Sequence, residues 1–110
     1  MTSIQNFVNE VLQIPVTRIG NKHTVEAIEI VLDTRDHKFY PQLCEVTGKT
    51  VGQLEKSLRD AKEKSFSFMD DNLKEKIFPI IANKTKISNT EFIVLAAQYY
   101  RENYENKEER

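Results

Sequence analysis

Three tetrads of the form Ser/Thr-x-x-Glu/Gln constrain this chain more than anything else in it: Thr2-Ser-Ile-Gln5, Thr50-Val-Gly-Gln53 and Ser88-Asn-Thr-Glu91. In such a capping box the hydroxyl oxygen accepts the N–H three residues on, while the Gln or Glu side chain accepts the N–H of the capping residue. Two donors that a helix start would leave unpaired are thereby satisfied. Each tetrad leads into apolar residues three and four apart. Ile4, Phe7, Val8 and Val11 follow the first, Val51, Leu54, Leu58 and Ala61 the second, and Phe92, Leu95, Ala96 and Tyr99 the third. That period is helical. With 3 Gly and 3 Pro in 110 residues, little interrupts it. The expected fold class is all-α.

Punctuation between the stripes divides the chain into about six helices. Pro15 ends the first, because the residue before a proline avoids the helical region. Residues 16–20 connect to a second helix that starts at Gly20 or Asn21 and buries Val25, Ile28, Val31 and Leu32. His23, near its start, reads as a solvated or capping residue. Residues 33–38 are polar and read as a loop. Pro41 suits the first turn of a short helix over 41–46, with Leu43 and Cys44 inward. Thr47-Gly48-Lys49 is a tight turn in which Gly48 supplies a positive φ. A longer helix follows over 50–66, with Phe66, Phe68 and Met69 packing at its end. Asp70 caps another that buries Leu73, Ile77 and Phe78 and closes at Pro79. Residues 79–87 are ambiguous, and Ile80-Ile81 could be a short extended piece. The last helix runs to about Tyr104. A single domain over 1–105 is expected, with 106–110 a charged tail that frays.

Composition excludes several classes of function. Hydrophobic residues at 39% and charged residues at 30% are ordinary for a globular domain. The single Cys44 rules out an internal disulfide and reads as a buried small apolar residue in a reduced, cytoplasmic setting. No apolar run approaches the roughly 20 residues of a membrane span. The 2 histidines, His23 and His37, lack metal-ligand partners at suitable spacing. There is no Gly-rich phosphate loop and no Ser/His/Asp or Cys/His set. No enzyme activity, metal, cofactor or small-molecule substrate is therefore expected.

The net charge of −1 argues against a nucleic-acid partner until its distribution is considered. Lys49, Lys56, Arg59, Lys62 and Lys64 face Glu55, Asp60 and Glu63, while acidic residues gather in the C-terminal tail. The basic stretch coincides with a short helix, a Gly-containing turn and a longer amphipathic helix. That succession is the helix-turn-helix pattern, whose second helix enters the DNA major groove. Gln53 could pair with adenine, and Lys56 and Arg59 with guanine or phosphate. Thr50 and the free N–H groups of the first turn could hold a phosphate, with Lys49 beside them. Double-stranded DNA is the expected partner.

The stretch from Tyr40-Pro-Gln-Leu-Cys44 through Thr50-Val-Gly-Gln-Leu-Glu-Lys-Ser-Leu-Arg-Asp-Ala61 resembles the sporulation initiation factor A family. The similarity is to the C-terminal effector domain of the response regulator that starts endospore formation in Bacillus and its relatives. Tyr40, Pro41, Thr50, Glu55, Arg59, Ala61 and Glu63 coincide with the family's residues. Leu43, Leu54, Leu58 and Lys56 are conservative replacements. Ser88-Asn-Thr-Glu-Phe-Ile93 with Arg101 resembles the family's last helix. Ile14-Pro15, Ile19-Gly20 and Glu26-Ala-Ile28 resemble its first two. The resemblance implies a six-helix domain that binds a short promoter box, with two copies arranged in tandem on DNA; a homodimer is the other expected arrangement. It also implies recognition positions at Gln53, Lys56 and Arg59, with Gly52 and Glu55 beside them.

The departures lie where specificity would be set. The family has Ser and Arg in place of Gly52 and Gln53, and His in place of Asp60. No receiver domain precedes this one, so a stand-alone protein is expected, outside the control of a fused receiver. Gly52, Asp60 and the near-neutral charge also motivate a second expectation: an interaction module on the same fold that modulates a full-length regulator. It would expose an apolar patch from Phe66, Phe68, Tyr99 and Tyr100, although these aromatics serve more naturally as core.

Overall fold

Ser3 starts the first helix by accepting the Asn6 N–H on Oγ at 3.0 Å. The computed structural model describes residues 3–82 and 86–105, with backbone alone at 81–82, so Thr2 of the first tetrad lies outside the described residues. Gln5 Nε2 donates to Asn9 Oδ1 and Asn21 Oδ1, both at 2.9 Å. Helix α1 (Ile4–Asn6) continues into a π-helical turn, Phe7–Val11, and ends at Gln13, whose φ of 57° is left-handed. Buried Asn21 completes this junction. Its Nδ2 donates to Ile14 O at 2.7 Å and Asn9 Oδ1 at 2.9 Å.

The remaining elements, in order, are α2 (Ile19–Thr34), α3 (Tyr40–Thr47), α4 (Val51–Phe68), α5 (Asp71–Ile77), a 3-10 turn over Pro79–Ala82 and α6 (Asn89–Tyr100). A second π-helical turn over Arg101–Glu105 follows. Every regular element among the described residues is helical, and the fold is all-α. The capping boxes at Thr50 and Ser88 form in full, and Asp70 caps α5 as its sequence position suggests. Gly48 takes a φ of 72° and closes α3, which sets the angle between α3 and α4. Ile80-Ile81 belongs to the 3-10 turn, not an extended piece; 83–85 of that ambiguous stretch, like the tail 106–110, lie outside the described residues.

Helix α2 crosses the middle of the molecule and packs on both α4 and α6. Its buried face is broader than the apolar stripe alone suggests: Gly20, Asn21, His23 and Thr24 join Ala27, Ile28, Ile30 and Val31, while Val25 and Leu32 are only half-buried. It also begins one residue earlier than Gly20 and runs through Asp33 and Thr34 into what reads as loop, before Arg35 turns the chain at a φ of 60°. Gly20 is where α2 meets α4. A Cβ there would collide with the Ser57 carbonyl oxygen and lie 2.9 Å from Ala61 Cβ.

Two aromatic groups fill the ends of the core. Phe66, Phe78 and Phe92 pack together with centroids 5.2 to 5.8 Å apart. Phe7 packs against Tyr99, Tyr100 and Tyr104. Each fully buried aromatic contributes about 1.5–3 kcal/mol of transfer free energy. The patch of Phe66, Phe68, Tyr99 and Tyr100 does not form, because Tyr100 is buried and Phe66 and Tyr99 are drawn into these groups. Phe68 alone faces solvent, 54% exposed, since α4 runs two residues further than its apolar stripe and turns it outward. Cys44 is half-buried. Phe39, fully buried at the start of α3 and stacked on Tyr40, is a core residue the polar stretch before it conceals.

Candidate nucleic-acid interface

Leu54, Leu58, Ala61 and Ser65 fix one side of α4 in the core. At 3.6 residues per turn, the opposite side carries Gly52, Lys56, Arg59 and Glu63 in one stripe. Lys49, Thr50, Gly52, Gln53, Glu55, Lys56 and Arg59 are all exposed, and they gather at the turn and along the N-terminal half of α4. Lys56 and Arg59 form no ion pair or hydrogen bond among the described residues. Gly52 adds to the openness: a Cβ there would meet only Thr50 Oγ1, at 4.0 Å.

Two of these residues are committed within the cap. Thr50 Oγ1 accepts the Gln53 N–H at 3.2 Å, and Gln53 Oε1 accepts the Thr50 N–H at 2.9 Å. Bidentate pairing with adenine needs that same oxygen as acceptor, so it would draw the carboxamide away from the cap. As folded, Gln53 offers its Nε2 donor. Thr50 has its N–H and one hydroxyl lone pair occupied, which leaves its O–H and the N–H groups of Val51 and Gly52 as the open donors of the first turn.

The acidic departure at Asp60 has a partner. Arg18, at the entry to α2, places its guanidinium 4.0 Å from the Asp60 carboxylate. An exposed pair of this kind adds little stability, but it offsets a negative charge beside the basic stripe. On the other flank, Asn89 in the first turn of α6 donates to Glu55 O at 3.0 Å and to the Tyr40 hydroxyl at 3.4 Å. One side chain thus ties α6 to both α3 and α4. Burial pushes the Tyr40 hydroxyl above its ordinary pKa.

His23 supports α4 from behind. It is buried, not solvated, and its Nδ1 lies 2.6 Å from Ser57 Oγ. Ser57 Oγ donates to Leu54 O at 3.2 Å, which leaves His23 Nδ1–H as donor to the hydroxyl oxygen. The helical period of α2 brings His23 onto the face of Ala27 and Gly20, a signal present in the sequence that an isolated histidine obscures. Burial, then nearby Lys49 and Lys22, hold its pKa below the ordinary value of 6.5. The unfolded chain then binds a proton that the native state refuses. Stability is complete above about pH 6.5 and falls as pH drops from there to the lower native pKa. Denaturant unfolding from pH 7.5 to 5.5 should show this loss, and His23→Gln should flatten it. Ser57→Ala should lower neutral-pH stability by about 1.5 kcal/mol, since it strands the buried ring N–H. Equal stability of the two proteins would contradict this role.

Among the described residues no group of three or more His, Cys, Asp and Glu converges as a metal site, and no helix is long and apolar enough to cross a membrane. No protein-family model matches the chain, and no curated protein matches it in sequence.

Proposed function

We propose that this chain is a sequence-specific DNA-binding transcriptional regulator in which α3, the Gly48 turn and α4 act as a helix-turn-helix. One observation carries the reading. The N-terminal half of α4 presents Lys56 and Arg59 outward without partners among the described residues, beside the side-chain-free Gly52, while its other face is locked by Leu54 and Leu58. A helix held rigidly on one side and idle in charge on the other suits the major groove, which admits one helix and offers guanine acceptors to Lys and Arg. Gly52 lets the backbone come close to a phosphate, and Val51 and Gly52 supply open N–H donors at the positive end of the helix dipole. The resemblance to the sporulation initiation factor A effector domain leads to the same helix. It adds the proposal that two copies bind in tandem.

Binding of a labelled duplex, followed by fluorescence anisotropy at 50 and 200 mM salt, tests the reading. Neutralising roughly four phosphates gives about a hundredfold loss of affinity over that range. Affinity that does not change with salt would count decisively against it.

A further inference from the structure

Beside the outward stripe of α4 runs a groove of about 450 Å³ lined by Arg59, Lys62, Glu63, Phe66, Lys86 and Ile87. Three cations meet a single carboxylate there. Lys62 is only partly exposed, and its Nζ is pinned by donation to Ile87 O at 2.7 Å. Desolvation lowers its pKa, and Arg59 and Lys86 lower it further, against Glu63 and Glu91. Glu91 is occupied in the α6 cap, where it accepts the Ser88 N–H at 2.8 Å. The positive end of the α6 dipole opens next to the groove. Cations crowded over an apolar floor of Phe66 and Ile87, with one of them fixed in place, are relieved by an oxyanion.

Position identifies the source of that anion. At 3.6 residues per turn, Lys62 projects about 60° around α4 from Arg59, towards α6 and off the outward stripe. A helix lying in the major groove is walled on each side by a sugar–phosphate strand. The outward stripe would meet the base edges, while the Lys62 flank would meet one wall. Resting on the proposed DNA-binding function, we infer that the groove between α4 and the segment entering α6 is a phosphate-binding site that clamps one backbone strand of duplex DNA. It holds α4 in register without reading sequence, as contacts to phosphate do.

The test is the slope of log affinity against log salt for one duplex, measured with the parent chain, Lys86→Gln and Lys62→Met. Lys76→Gln, an exposed charge removed on α5 away from the groove, is the control, and thermal melts establish that each variant is folded. Each groove variant should lower the slope by about 0.9, the counterions released per phosphate contact. Both should weaken preferred and scrambled duplexes alike, while Lys76→Gln keeps the parent slope. If both groove variants also keep the parent slope, the site is overturned and the DNA-binding reading survives. If the parent binds no duplex, that reading fails separately, and an NMR titration with pyrophosphate decides the site. Saturable shifts at the Lys62, Phe66 and Ile87 amides that vanish in Lys86→Gln would support an anion site for a free phosphate compound. Unchanged spectra would remove it.

Discussion

Gly20→Ala should lower the unfolding free energy by about 2 kcal/mol, with a fall in Tm of roughly 10 °C. The sign is what makes this informative. At an ordinary helical position the same exchange stabilises by up to about 1 kcal/mol, because alanine loses less chain entropy on folding. At Gly20 the added methyl meets the Ser57 carbonyl oxygen and Ala61 Cβ, so α2 and α4 must move apart or tilt. Backbone on one side and a core Cβ on the other leave no flexible side chain to yield. Gly52→Ala is the internal control. Its Cβ would enter open space, and the variant should be as stable as the parent or more so, by up to about 1 kcal/mol. Thermal and urea unfolding of both variants distinguish the cases. A stabilised Gly20→Ala would show that the α2–α4 contact is looser than described.

The second large effect concerns affinity. Lys56→Ala combined with Arg59→Ala should weaken binding to a preferred duplex by about a hundredfold or more, at roughly 1–3 kcal/mol for each good contact to a base. Both side chains are exposed and unpartnered among the described residues, so Tm should change little. Loss of binding with retained fold separates this pair from Gly20, whose replacement acts through the packing of α4. Titrations with a preferred and a scrambled duplex divide the loss. A loss confined to the preferred duplex assigns base reading, and an equal loss on both assigns phosphate contact.

Much of this architecture is legible in the residues because local and tertiary signals agree. Thr50, Asp70 and Ser88 cap the helices they precede, Gly48 takes the positive φ its turn requires, and Leu54, Leu58 and Ala61 face inward as their spacing implies. Legibility fails where a contact far along the chain decides. His23 and Asn21 are buried because α2 presses its first turns on α4 and the α1 junction, a contact at which the helical period of α2 hints only for His23. Gly20 reads as a helix start although it acts as a packing notch. Phe68 looks like a core aromatic yet emerges on the exposed face of a helix that runs longer than its apolar stripe. In the candidate site, the outward set at Gly52, Lys56 and Arg59 follows from helical period alone. The groove through Lys62 and Lys86 does not, since it needs the entry to α6 to fold back beside α4. The one clue was the surplus of lysine in α4 that the outward stripe leaves unused.

The central claim, that α4 reads DNA sequence, is tested most directly by selection from a random duplex pool with the parent chain and the Lys56→Ala, Arg59→Ala variant in parallel. The account predicts an enriched motif with the parent that the folded variant fails to enrich. A pool that stays random with the folded parent, or a motif the variant enriches equally well, would contradict it.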